Sequence, residues 1–431
     1  MADFIKCADR RPRVFNRRQQ GSAALPSRGL RARLSLAART RVLAGAVLLA
    51  GGGLAQAGEL PADYGERLVQ DYIAPAMQGF QASARQLQAS LQAWCALPAQ
   101  QDAPGAAAAM AAPGQAGDGR APSGSISAGQ LDEAFAQTVE AWSGIEFLRF
   151  GPLVAANRYE RIYFWPDPRG VTLRQVQGLL AKPDSVPDAK ALATHSVALQ
   201  GLPALEYVLY KENGVLSFGG AAAPAGASGS PGAASRSNAA ACDYAAAVAG
   251  NLAAVGAELV QAWMPGGEYA RQFSRPLPDS TLYRSQQEVA GEAIKALSTG
   301  LQFARDVKLL PVLGDSPEAA QYKRAPFWRS GLSARAMGAA VQGMIKFYQA
   351  GAYQYGHDEA WVDRNVQEEL QRARDDFSAM RGDAQQLVHS AEGYRQLTLA
   401  SLLLKNAKVM VDEHMAPAFG VRIGFNALDG D

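Results

Sequence analysis

Two acids stand alone in apolar runs of this chain. Glu206 lies in QGLPALEYVLY (200–210), with Pro203 three residues before it, and Glu146 lies in AWSGIEFLRF (141–150). A carboxylate buried in such a run is costly unless it is paired or hydrogen-bonded. Two kinds of chemistry are open to it. It can pin helices together through an arginine or hydrogen-bond donors, or it can line a groove and bind a cation or a positively charged ligand. For Glu206 the available arginines include Arg149, Arg158, Arg161 and Arg329. For Glu146, Arg149 one turn on offers an i,i+3 salt bridge, with Trp142 one turn before. Pro203 has no lone pair for a metal and no N–H. Within a helix it would free the carbonyl of Leu199 and kink the backbone.

Other residues carry chemistry by type and setting. Trp165, Asp167 and Arg169 stand in FWPDPRG (164–170), a proline-containing turn where polar side chains are candidates for binding. Arg329 and Ser330 stand in FWRSGLS (327–333), just before a helix expected near Leu332. Ser330 or Ser333 can cap that helix, or Ser330 can face a groove. The histidines are His195, His357, His389 and His414. On a straight helix His195 and Glu206 would be roughly 16 Å apart, too far to share an ion. A metallopeptidase needs three protein ligands, a position for water and a general base. The sequence assembles no such set, and HExxH, GxSxG and phosphate-loop glycine motifs are absent from it.

These residues must be positioned by helices. Met77, Phe80, Ala84, Leu87, Leu91 and Trp94 keep a helical spacing, as do Leu131, Phe135, Thr138, Trp142 and Ile145. Leu297, Leu301 and Ala304 repeat it, as do Val366, Leu370, Ala373, Phe377 and Met380. Further helices are expected at about 171–182, 188–210, 241–263, 331–350 and 384–412. No series of alternating strands is present. The expected class is all-α, with two tandem helical bundles and a groove where they meet. The N-terminal bundle is expected at 58–213 and the C-terminal bundle at 241–431. Tracts rich in Ala, Gly, Pro and Ser at 101–127 and 214–240 are expected as a flexible insertion and a disordered linker.

The chain has 431 residues, 48% hydrophobic and 19% charged, enough for two ordinary domains. Residues 1–57 read as a secretory leader with an N-terminal extension. Arg31, Arg33, Arg39 and Arg41 precede the apolar run 42–54, and Ala55-Gln56-Ala57 follows it. The run is too short to span a membrane, so cleavage after Ala57 is expected to leave a periplasmic chain that is not transmembrane. No cysteine follows the run, so no lipoprotein attachment is expected. The leader holds 11 Lys and Arg against two Asp and Glu, a net of +9, so a whole-chain charge of +2 becomes −7 after cleavage. An acidic chain without a basic patch is a poor nucleic-acid binder. Cys95 and Cys242 remain after cleavage, in a compartment that permits disulfides, and their pairing would staple two helices.

Six blocks together resemble the imelysin-like family: AWSGIEFLRFGPL (141–153), FWPDPRG, GLPALEYVLY (201–210), CDYAAAVAGNL (242–252), FWRSGLS and the terminal GFNALDGD (424–431). The resemblance spans nearly all of the expected mature chain. It implies two helical bundles facing each other across a groove, in the periplasm or on the outer membrane. It also implies a link to iron acquisition, or peptidase activity in some members. The family hallmark is G-x-H-x-x-E. Gly201 and Glu206 match it, but Pro203 stands at the histidine, so Glu206 lacks its nearest metal partner. The expected function is a non-catalytic binding protein tied to acquisition of iron or another divalent transition metal, with an iron-uptake system of the envelope as partner. The alternatives are an imelysin-type metallopeptidase and an adaptor for peptide or polysaccharide.

Overall fold

Apolar stripes at helical spacing become the core-facing sides of the main helices, and nine helices suffice to place the site. They are α1 (Ala74–Cys95), α2 (Ala128–Ile145), α3 (Val171–Leu180), α4 (Gly201–Tyr210), α5 (Pro231–Trp263), α6 (Gln286–Gln302), α7 (Ser333–Ala350), α8 (Ala360–Ala379) and α9 (Ala391–Val409). The computed structural model describes residues 58–97, 126–217 and 231–424, and the side chains of all of these except 231–235. The expected leader, nearly all of the insertion at 101–127, residues 218–230 of the tract at 214–240 and all of the terminal block after Gly424 lie outside the described residues. The described residues form an all-α fold. Among them no strand occurs, only an isolated bridge between Glu59 and Gln354.

The stripes predicted on α1 and α2 are buried as expected. On α1, Met77, Phe80, Ala84, Leu87, Leu91 and Trp94 face the core. On α2, Leu131, Phe135, Thr138, Trp142 and Ile145 do so. Ser127 starts α2 by accepting from the Gln130 backbone N–H while the Gln130 side chain accepts from Ser127 N–H, which satisfies two end groups at once.

Neighbouring helices follow one another across the fold. α5 lies on α1, α1 on α2, α2 on α7, α7 on α8, and α8 on α9. The seam between α2 and α7 joins the two halves of the sequence. A Cβ on Gly343 of α7 would lie 2.2 Å from the Gly144 carbonyl oxygen of α2, so only glycine permits this approach. Tyr72 donates to that same carbonyl at 2.5 Å. One continuous core of buried residues runs through both halves.

The structure departs from the expected helix boundaries. α5 begins at Pro231, inside the tract expected as linker, and Val215 is buried and accepts a hydrogen bond from Trp94 Nε1 at 2.8 Å. α5, expected to open the C-terminal bundle, lies along α1. It is long and apolar enough to cross a membrane by length and composition, but its Tyr244, Val248, Leu252, Val255 and Leu259 are buried in the core. The helix expected over 188–210 is interrupted. A short turn at Ala189–Leu192, capped by Asp188, is followed by a 3-10 turn at Val197–Leu199, and α4 starts afresh at Gly201. The helix expected over 384–412 breaks at Ser390, whose side chain caps α9.

Cys95 and Cys242 form a disulfide with a Cα–Cα distance of 5.8 Å, tying the end of α1 to α5 across a sequence separation of 147. Closing so long a loop restricts the unfolded chain strongly. Replacing both cysteines by serine is expected to lower the unfolding free energy by about 2–5 kcal/mol, read by denaturant unfolding. Thiol labelling of the unreduced, unfolded protein should leave Cys95 and Cys242 unlabelled.

Candidate functional site

α4 explains how Gly201, Pro203 and Glu206 are used. Gly201 has φ +79°, and a Cβ there would lie 2.3 Å from the Ile162 carbonyl oxygen. Glycine is therefore needed where α4 starts against the turn before it. Pro203 occupies the first turn of α4. A first-turn N–H has no partner within its helix, so proline removes no helical bond there. The expected kink at Pro203 does not occur, because the helix begins only two residues earlier.

Glu206 is 5% exposed. Its Oε1 accepts from the Ser330 backbone N–H at 2.9 Å and lies 2.9 Å from the Ser330 hydroxyl. That hydroxyl is also 3.1 Å from the Phe327 carbonyl. Burial pushes the Glu206 carboxyl up from its ordinary range, and the Ser330 donors and the Arg329 guanidinium pull it part of the way back. Of the arginines proposed as partners, Arg329 is the one whose charge reaches Glu206. Arg329 stacks over Trp328 at 4.3 Å and faces Tyr207 at 5.5 Å. Arg158 and Arg161 turn instead to Glu258, at 2.7 and 3.5 Å. Ser330 does not cap α7, nor does Ser333, which donates to the Pro326 carbonyl at 2.6 Å.

Glu146 does not pair with Arg149. Its partner is Lys308, which donates to Glu146 Oε1. Lys308 is 1% exposed and Glu146 4%. Burial pushes the Lys308 ammonium down, and Glu146 opposes that shift. Lys308 belongs to a π-helical turn, Phe303–Leu309, that extends α6, and such turns recur at functional sites. Sequence reasoning passed over Lys308. The signal was its place in the stripe Leu297, Leu301, Ala304, where a lysine continues an apolar face.

Arg149 lies instead over the Tyr159 ring at 4.2 Å and the Phe303 ring at 4.6 Å. Trp142 packs on Tyr159 and Tyr163, with ring centroids 5.2 and 5.9 Å apart. Trp165 stacks on Tyr163 at 5.8 Å and meets Phe303 edge-on at 6.3 Å. Tyr163 also stacks on Phe327 at 5.2 Å, beside the Ser330 turn. The structure thus gathers Trp142, Glu146, Arg149 and Trp165 around Tyr159, Tyr163, Phe303 and Lys308, with Glu206 and Ser330 on the far side of Tyr163. Asp167 and Arg169 play other parts. Asp167 caps α3 by accepting from Val171 N at 2.9 Å and Thr172 N at 2.8 Å. The Arg169 side chain is exposed, and its carbonyl accepts from Arg174.

None of the expected site residues lines the open groove across the α2–α7 seam, which has a volume of about 930 Å³. Gly144, Arg335, Gly338, Lys346 and Arg374 are among those that do.

The imelysin family model, Peptidase M75, matches residues 73–408. The chain belongs to the imelysin family. The imelysin fold is shared with an imelysin-like protein from Psychrobacter arcticum 273-4, at 17% identity and a TM-score of 0.62, covering 86% of this chain and 100% of that one. It is also shared with a protein described as an iron-regulated protein A precursor from Parabacteroides distasonis ATCC 8503, at 12% identity and a TM-score of 0.55, covering 83% and 97%. No curated protein sequence matches the chain.

A resident metal does not fit the imelysin motif as this chain carries it. Glu206 Oε1 faces the Ser330 donors, and proline stands at position 203. Among the described residues no three of His, Cys, Asp and Glu converge to hold an ion. His195 is exposed, with Nδ1 2.8 Å from the Ala191 carbonyl. His389 lies beside Tyr322 and His414 beside Trp361.

Two predictions follow from the buried acids. Lys308→Met strands the Glu146 carboxylate and should destabilise the protein by about 3–5 kcal/mol, while Glu146→Leu/Lys308→Met should restore most of that loss. Denaturant unfolding of the single and double variants reads the coupling. Glu206, raised by burial, contributes stability below its ordinary range that is lost as pH rises through the folded value. The stability of Glu206→Gln relative to wild type should therefore increase as pH rises above the ordinary carboxylate range, read by paired thermal melts.

Proposed function

We propose that this imelysin-family chain is a non-catalytic binding protein of the cell envelope that serves iron handling, rather than a peptidase. The carrying observation is the state of Glu206, the one carboxylate of the motif. It accepts from Ser330 and has proline, not histidine, on its own helical face. A hydrolytic metal centre needs three ligands, water and a base, and this neighbourhood supplies one hydrogen-bonded carboxylate. The iron association draws support from the family and from the neighbour described as an iron-regulated protein A precursor. Secretion to the periplasm rests on the leader-like residues 1–57 and agrees with the disulfide. In this reading the partners are a small ligand or metal-bearing cargo and an iron-uptake system of the envelope.

The test is an assay of the purified secreted protein on unfolded protein substrates, with and without chelator, beside calorimetric titration with ferrous, ferric, zinc and cupric ions. The expected result is no chelator-sensitive cleavage and no tight ion binding that depends on Glu206. Cleavage that needs metal and disappears in Glu206→Gln would overturn the binding reading.

A further inference from the structure

Six residues touching one another at the centre of the fold hold an unusual surplus of donors: Trp142, Glu146, Arg149, Tyr159, Tyr163 and Lys308. Trp142 Nε1, Arg149 Nη1, Tyr159 Oη and Tyr163 Oη are buried and have no hydrogen-bond partner among the described residues. Glu146 Oε2 is in the same state. Orphaned buried polar atoms are rare in folded proteins, and each requires an explanation. Here five occur in one cluster, and four of the five are donors. The Trp142, Tyr159 and Tyr163 rings are all 2% exposed or less.

Within the six residues, Lys308 and Arg149 are two cations beside the one carboxylate of Glu146, and the Glu160 carboxylate also acts on Tyr159 from outside them. Glu206 lies beyond Tyr163, and its acceptor Oε1 already serves Ser330. Burial, with the Glu146 carboxylate adding to it, pushes both phenols up, so each keeps an O–H to give. A cation ligand would meet an indole N–H and a guanidinium, which repel it, with only two phenol oxygens able to face it. An acceptor-rich anion would meet all four as hydrogen-bond donors.

We infer that this cluster is a binding site for a small oxyanion, with a carboxylate group as its ligand chemistry and the Arg149, Tyr159, Tyr163 and Trp142 donors as its contacts. The inference rests on the binding-protein reading above and gives it a ligand class. An iron-handling protein without a metal-ligand set would then hold the acidic group of its cargo rather than a bare ion. Lys308 positions Glu146 and supplies the second positive charge. The Phe303 ring, which lies under both cations at 4.6 and 5.6 Å, fixes where they sit.

The test is calorimetric titration of the purified protein with oxalate, citrate and inorganic phosphate, alongside melting temperatures at rising anion concentration. Wild type should bind a carboxylate and melt higher in its presence. Tyr159→Phe/Tyr163→Phe keeps both rings and removes two buried, unpartnered hydroxyls. It should fold with unliganded stability at or above wild type and lose affinity roughly tenfold or more. Arg149→Gln should lose affinity by at least as much, and it reads the site even if the tyrosine variant misfolds. Phosphate binding in preference to carboxylates, lost in the same variants, would support an oxyanion site and assign it to phosphate. No binding by wild type, or binding unchanged in both variants, would overturn the inference. Failure here without metal-dependent cleavage leaves the binding-protein reading standing, whereas metal-dependent cleavage lost in Glu206→Gln removes that reading directly.

Discussion

The ion pair between Lys308 and Glu146 constrains the rest of the centre. Neither group can be left alone in a dry interior, since an unpaired buried charge costs several kcal/mol. Glu146 closes α2, in the first half of the chain, and Lys308 sits in the π-helical turn after α6, in the second. The two segments must therefore meet in one register. The surroundings favour the cation in place, because Lys308 faces the Tyr163 and Phe303 rings at 5.5 and 5.6 Å, and an aromatic face attracts positive charge. Such a pair adds little net stability over well-packed apolar side chains. What it gives is one permitted docking of the two halves, reinforced by the glycine contact at Gly144 and Gly343.

Glu206 repeats that logic on the other side of Tyr163. Its carboxylate comes from α4, in the first half, and its donors come from Ser330, in the second. Both acids, open in the sequence to a helix-pinning or a groove role, bridge the two sequence halves. The difference lies in what each leaves over. Glu206 meets two donors on one oxygen beside a guanidinium. Glu146 uses Oε1 on Lys308 and leaves Oε2 among aromatic and cationic neighbours that also hold unmet donors. Unmet hydrogen-bonding capacity concentrates around Glu146, although the family motif directs attention to Glu206.

Much of the fold was legible because period reports burial. The α1, α2 and α8 stripes were assigned residue by residue, since each turns the same face to the core over several turns. The breaks were harder to read. Residues 188–210 are apolar enough for a helix throughout, but Ser196 and Asp188 cap separate short turns and Gly201 needs a positive φ. Local capping of this kind competes with helix continuation and leaves little mark on a hydrophobic stripe. The position of α5 was hidden for a different reason. Sequence order does not say which helix a later one lies on, and the clue was chemical, in the pairing of Cys95 with Cys242. Trp142, Glu146, Arg149 and Trp165 were read from the sequence as candidates for lining a groove, and the structure gathers them around Tyr159, Tyr163 and Phe303. Lys308, Tyr159 and Tyr163 were not read as candidates, because a π turn and a short helix place them, and tertiary packing rather than spacing brings them together.

Position 203 shows why restoring a motif residue is not the same as restoring a site. Histidine there would add an imidazole on the face that carries Glu206. The Ser330 N–H and hydroxyl would still point at Oε1, and both are donors that a metal cation cannot share. Among the described residues no third ligand completes a site. The proline is compatible with its place because the helix starts at Gly201, where a missing N–H breaks no bond. Glu206 is held by the turn at Phe327–Ser330 in any case. The acid is therefore kept in place by a bridge that needs no metal. The donor surplus around Glu146 is what remains chemically open, and geometry of that sign selects an acceptor rather than a cation.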